Sequence, residues 1–188
     1  MTVEYLRDLG SPVTATYTVG ANARYTVFVD GVPGVEQGSF GMRVTSAVPV
    51  VAERAMYWAG GFFDYYEGHV SSGATQAGSR WVLAEGEQLG AYGAQTFVLI
   101  ANTGDTPVTV NVRSLPDPFR AVSQTTVEVG ARSRVTLPLA SLGGYDRGGI
   151  EVVQQAGTPA LVVEGAMYWS AGSQIFAAGA AWPATRIP

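Results

Sequence analysis

The single histidine, His69, lies two residues before Ser71, three before Ser72 and five after Asp64. Nucleophile, base and orienting acid of a hydrolase are these residue types. The triad, however, is a geometry, and closeness along the chain does not supply it. No G-x-S-x-G elbow exists to lift a serine out on a sharp turn. The plainer expectation is that His69 hydrogen-bonds at a junction between units. The carboxylate pairs Glu53/Glu85 and Asp64/Glu67 could serve acid–base chemistry or hold a hard cation. No Asp-rich calcium loop accompanies them, so Glu53 is expected to pair with an arginine or to cap backbone N–H groups. With no cysteine, thiolate metal sites, disulfides and cysteine nucleophiles are excluded. No catalytic residue, metal ligand or cofactor is therefore assigned. The remaining chemistry is aromatic: Tyr57, Trp58, Phe62, Phe63, Tyr65 and Tyr66 fall within ten residues. Exposed aromatics stack on sugars or anchor protein interfaces. Phe62, Phe63, Tyr65 and Tyr66 are the candidate binding residues, because no second copy of them is evident in the sequence.

Composition limits what can position these groups. Charged residues make up 14% of the 188 positions, against roughly 25% in an average soluble domain. Apolar residues make up 47%, which excludes a disordered chain. All eleven basic residues are arginine, the net charge is −4, and no basic block marks a nucleic-acid footprint. No apolar run is long enough for a transmembrane helix. The start, Met1 to Gly10, lacks the basic and apolar regions of a signal peptide.

An internal repeat organises the chain. Glu53-Arg54-Ala55-Met56-Tyr57-Trp58 returns as Glu164-Gly165-Ala166-Met167-Tyr168-Trp169, with five of six positions kept at an offset of 111. Upstream, Val19-Gly20-Ala21, Arg24 and Thr26 match Val129-Gly130-Ala131, Arg134 and Thr136 at an offset of 110. Downstream, Gly73-Ala74 matches Gly179-Ala180 at 106, which makes the second linker five residues shorter. A unit of about 110 residues is the size of an immunoglobulin-like sandwich. Thr2-Val3 aligns with Thr109-Val110, so the first copy lacks the opening strands that the second has.

Nearly every segment reads as strand. Residues 108–113, 125–129 and 134–139 alternate apolar and polar with period two, and β-branched and aromatic residues dominate. The expected strands are 2–7, 13–19, 23–29, 40–46 and 49–58, then 80–85, 95–102, 107–113, 120–129, 132–139, 148–155, 160–169 and 174–178. Residues 32–35 and 143–146 read as crossovers with a helical turn. The segment 59–79 reads as a connector. The domains expected are 1–60, a partial unit; 61–79, an aromatic and Gly-rich junction; and 80–188, a complete unit.

The runs Ala52-Glu53-Arg54-Ala55-Met56-Tyr57-Trp58, Glu67-Gly68-His69-Val70-Ser71-Ser72-Gly73-Ala74, Trp81-Val82-Leu83-Ala84-Glu85-Gly86 and Phe97-Val98-Leu99-Ile100-Ala101-Asn102 resemble a family of bacterial Ig-like tandem-repeat surface modules. That family carries an AER-MYW, GH-S-GA, W-LAEG signature. The resemblance implies tandem modules in long secreted or surface-exposed proteins and supplies no catalytic residues. The second copy departs from it at Gly165.

The expectation is an all-β protein of tandem immunoglobulin-like β-sandwich units, the N-terminal one incomplete. Inter-unit packing is assigned to Glu53, Arg54, Met56, Trp58, His69, Glu164, Met167 and Trp169. The function expected is a non-enzymatic structural or assembly module of a secreted or cell-surface bacterial protein or filament. Its partners are copies of itself or neighbouring repeats, with subunits joined by strand complementation at an open edge. The alternative is a carbohydrate- or protein-binding module using the 57–66 aromatics, with a glycan or protein ligand.

Overall fold

The computed structural model describes residues 1–60, 63–115, 121–143, 146–172 and 174–188; of 59, 60 and 63–66 it describes the backbone. The described chain is all-β, with antiparallel pairing throughout and only two short 3-10 turns, Val29–Gly31 and Leu139–Leu142.

The strands are β1 (Thr2–Arg7), β2 (Val13–Thr16), β3 (Phe40–Thr45), β4 (Glu53–Gly60), β5 (Phe63–Ser72), β6 (Arg80–Leu83) and β7 (Gln95–Asn102). They continue with β8 (Val108–Leu115), β9 (Gln124–Val129), β10 (Ser133–Pro138), β11 (Gly149–Gln154), β12 (Leu161–Ala171), β13 (Gln174–Pro183) and β14 (Thr185–Arg186). Two expectations fail here. Residues 23–28 form no strand, although they are β-prone: Val27 and Val29 instead lie over the first sheet as a cover. Residues 63–72 are not connector but strand, hydrogen-bonded to β4 along a hairpin.

The sheets β10-β7-β12-β13 and β14-β6-β11-β8-β9 face each other as a sandwich. Alternation decides the inner face. On β7 the even residues Thr96, Val98, Ile100 and Asn102 turn in, and on β8 Val108, Val110 and Val112 do. They close on Ile150, Val152, Leu161 and Val163 in one core, where apolar burial at roughly 25 cal/mol per Å² supplies the main stabilisation. Trp81 sits inside this core and donates its indole N–H to the Leu161 carbonyl at 3.1 Å. That bond satisfies the polar atom burial would otherwise strand. Asn102, fully buried, does the same for a turn: Nδ2 donates to the Thr106 and Gly130 carbonyls at 2.8 and 2.9 Å, and Oδ1 accepts from Gly104 N–H at 2.9 Å.

A third layer covers the outward face of β10-β7-β12-β13. Part of it is the sheet β2-β1-β3, in which Val3 and Tyr5 turn one way, beneath Val32 and Val35. Glu4 and Leu6 turn the other way and are also buried. Glu4 meets Arg43 Nε at 3.0 Å and is paired with Arg132. Arg134 Nη1 donates to the Phe40 carbonyl at 3.0 Å, and Ser133 Oγ to the Arg7 carbonyl at 2.7 Å. The remainder of the layer is the β4–β5 hairpin, which lies on β12–β13.

Strand pairing repeats at the sequence offset. The order β2-β1-β3 matches β9-β8-β11. In β4–β5, Glu53 faces Ser72, Tyr57 faces Gly68 and Gly60 faces Phe63; in β12–β13, Glu164 faces Pro183, Tyr168 faces Gly179 and Ala171 faces Gln174. All six positions keep the offset of 111, so no five-residue deletion separates the hairpins. Gly179 corresponds to Gly68 rather than Gly73.

Candidate functional site

Strand alternation gives the first hairpin two faces. Arg54, Met56 and Trp58 on β4 share one face with Glu67, His69 and Ser71 on β5. Glu53, Ala55, Tyr57, Gly68 and Val70 share the other. The first face is turned onto Glu164, Ala166, Tyr168 and Gly179 of the second hairpin.

Three kinds of contact hold this junction. Arg54 Nη1 meets Glu164 Oε2 at 3.3 Å, with both side chains about four-fifths covered, and Ser71 Oγ donates to Glu164 Oε1 at 3.4 Å. The Trp58 ring meets Tyr168 edge-on, centroids 5.5 Å apart at 78°, and its Nε1–H donates to the Phe176 carbonyl at 2.9 Å. His69 Nε2 and the Tyr168 hydroxyl lie 3.4 Å apart, with the ring tilted against Trp58. Phe97 and Phe176 enclose Tyr168 from its other sides. Gly179 makes the close approach possible: a Cβ there would lie 2.6 Å from Tyr168 Cδ1 and 3.0 Å from Trp58 Cη2.

Electrostatics follow from this packing. Burial lowers the His69 pKa from 6.5, and the Arg54 charge lowers it further, partly offset by a backbone hydrogen bond. Burial raises the Tyr168 phenol, against the pull of Arg54 and Arg134. The imidazole is thus held neutral beside Arg54, with Tyr168 facing it, while Glu164 is occupied by Arg54 and Ser71 and Arg134 lies behind it. A neutral-form preference in the docked hairpin means docking is at full strength above 6.5. It weakens as pH falls from there through the lowered docked value, because the undocked hairpin takes up the proton first. The protection factors of the β4–β5 amides, taken relative to intrinsic exchange at each pH, are expected to fall below about pH 6.5, the ordinary histidine value. His69→Gln is expected to flatten that dependence; an unchanged pH profile in the variant would assign the titration to another group.

The structure distributes the sequence-assigned residues as follows. Arg54, Trp58, His69 and Glu164 meet in the junction. Glu53 does not: its strand position turns it to the exposed face. Met56 is on the junction face but 40% exposed. Met167 is buried on the opposite face of β12 and lines an open depression of about 440 Å³ with Glu85, Glu87 and Arg147; Trp169, half-buried, shares that face. Phe62 lies outside the described residues, as do the side chains of Phe63, Tyr65 and Tyr66. Their backbone register nonetheless gives Phe63, Tyr65 and Tyr66 counterparts at Gln174, Phe176 and Ala177. Tyr168, Phe176, Gly179 and Phe97 were not singled out from sequence. The pairing of a tyrosine with a glycine eleven residues on, in both copies, was the available signal.

Ser71 spends its hydroxyl on Glu164 and His69 faces Tyr168, so these two do not form a nucleophile–base pair here. Glu151, nearly fully buried, is held by Arg80 at 2.6 Å and by Arg113. Burial acts to raise its pKa, but hydrogen bonds from Arg113 and Arg80 win and keep it below the ordinary range. It is a structural ion-pair site rather than a poised acid. Among the described residues, no three His, Asp or Glu side chains gather as a metal cage requires. No helix among them is long and apolar enough to cross a membrane.

No protein-family model matches the chain, and no curated protein matches it. Among solved structures, the crystal structure of Thermotoga maritima 1070 is similar at 13% identity and a TM-score of 0.48, over 60% of this chain and 97% of that one.

Proposed function

We propose that the chain is a non-enzymatic structural module of a secreted or cell-surface bacterial protein or filament, made of two immunoglobulin-like units of which the first is partial. The signature shared with bacterial tandem-repeat surface modules motivates the setting. The observation that carries the reading is the hairpin junction: its conspicuous side chains, Arg54, Trp58, His69 and Glu164, are spent on holding one unit against the next. A second observation supports joining at an edge. β11 is flanked by β8 and β6, whereas β3 pairs with β1 alone among the described residues. An open edge of this kind accepts an added strand.

Light scattering across a concentration series, with negative-stain images of the same sample, tests assembly. Mass that grows with concentration, or visible filaments, is the expected outcome. A monomer at every concentration would overturn assembly by this chain alone. It would favour a carbohydrate- or protein-binding module instead, a reading supported by Tyr57 at 63% exposure. Glycan arrays with the wild type and with Phe63→Ala/Tyr65→Ala would then decide that reading.

A further inference from the structure

The face of β12–β13 that receives the first hairpin has a duplicate in this chain. Shifted by 111 residues, Glu164, Ala166, Tyr168, Gly179 and Ala181 become Glu53, Ala55, Tyr57, Gly68 and Val70. The likeness extends to geometry. Tyr57 lies over Gly68 as Tyr168 lies over Gly179: a Cβ on Gly68 would meet Tyr57 Cδ1 at 2.7 Å, one on Gly179 Tyr168 Cδ1 at 2.6 Å. By the same offset Tyr65 is the counterpart of Phe176, whose carbonyl accepts the Trp58 N–H. The two copies differ in cover. Ala166 is 3% exposed and Tyr168 half-buried, whereas Tyr57 is 63% and Val70 67% exposed, with Glu53, Ala55 and Gly68 also exposed.

We propose that the exposed Glu53–Ala55–Tyr57/Gly68–Val70 face of β4–β5 is a docking surface for a further hairpin of the same repeat. That hairpin would present arginine, tryptophan and histidine at the places of Arg54, Trp58 and His69. The proposal rests on the structural-module reading and names its partner. The β4–β5 hairpin receives on one face and inserts with the other, so the contact is head-to-tail rather than self-complementary. The β12–β13 hairpin only receives. In place of Arg54, His69 and Ser71 its opposite face carries Gly165, Ala180 and Trp182, and Trp182 packs into the sandwich core across Gly165. It is built as the end of a stack, as terminal repeats are.

A charge swap tests this without touching the sandwich. Arg54→Glu sets two carboxylates against each other at Glu164 and releases the hairpin. The released face is also repelled by Glu53 of a second copy, so this variant is expected to add no association to that of the wild type. Adding Glu53→Arg restores the complement between copies, and the double variant is expected to self-associate at least about tenfold more tightly than Arg54→Glu, the scale of a close charge pair. The converse release, Glu164→Arg, is expected to drive association that Glu53→Arg then abolishes. A double variant that associates no better than Arg54→Glu would overturn the proposal, as would Glu164→Arg oligomers indifferent to Glu53. Retained near-ultraviolet dichroism of the Trp81 core marks samples whose sandwich is folded; should Glu164→Arg lose it, the Arg54→Glu pair decides alone. Wild-type assembly indifferent to Glu53→Arg would remove this face and leave the structural-module reading standing. A monomeric wild type with an associating double variant would do the reverse.

Discussion

Trp58→Ala is expected to free the β4–β5 hairpin while the sandwich stays folded. Trp58 is the centre of the junction. It contacts Tyr168 and His69, covers Gly179, and donates its N–H to the Phe176 carbonyl. Truncating a large buried aromatic costs about 3–5 kcal/mol, and the half-buried position puts Trp58 at the lower end. At 1.4 kcal/mol per factor of ten, amide protection across β4–β5 should fall roughly a hundredfold. The amides of β7, β8 and β11 should change little, because their core contains no β4–β5 residue. An isolated two-stranded hairpin is marginal in water, so once detached with no second copy to dock on it should also lose its strand signature and become open to proteolysis. Loss of protection throughout the chain in one step would show instead that hairpin and sandwich are a single cooperative unit.

Gly165→Ala is expected to destabilise the sandwich itself by about 1–3 kcal/mol, the range for overpacking a core. A Cβ at this position would lie 2.7 Å from Trp182 Cε2 and 2.8 Å from Cζ2, and Trp182 packs against the main core. The ring cannot move aside without opening the β12–β13 edge of that core. Gly68→Ala is the instructive contrast. Its nearest side-chain atom belongs to the exposed Tyr57, which can swing towards solvent, although the Met56 carbonyl at 2.8 Å limits the relief. Urea midpoints should fall clearly for Gly165→Ala and less for Gly68→Ala. Equal midpoints for Gly165→Ala and the wild type would mean that Trp182 has a second packing position. The same geometry explains why the repeat breaks at this residue: Arg54 occupies a junction, whereas Gly165 lies under a tryptophan.

The period-two alternation in 108–113, 125–129 and 134–139 marked strands that the structure has as β8, β9 and β10, because burial on one side of a strand selects every second residue. The repeat at 111 made β4 and β12 counterparts, while the equivalence of their partners β5 and β13 comes from the strand pairing. The expectation of a strand at 23–29 failed for a reason local sequence does not contain. Among the described residues no strand pairs with that segment, and Val27 and Val29 cover Val3 and Tyr5 as a loop. Reading 59–79 as a connector failed because a second glycine, Gly73, drew the alignment away from Gly68. Only cross-strand register separates the two.

The composition, the alternation and the repeated Glu-x-Ala-Met-Tyr-Trp run determine an all-β chain with a duplicated strand, since those properties are set by which residues lie next to each other. The layering was decided only in three dimensions. Arg54 reaches Glu164 across 110 residues of chain, and Arg134 reaches the Phe40 carbonyl across 94. Which face of a hairpin is spent and which is left exposed depends on what the other sheet offers. In β12–β13 that choice goes with Gly165 beneath Trp182, with Ala180 beside them, where β4–β5 has Arg54, Ser71 and His69; the difference is steric and appears only when the two strands are side by side.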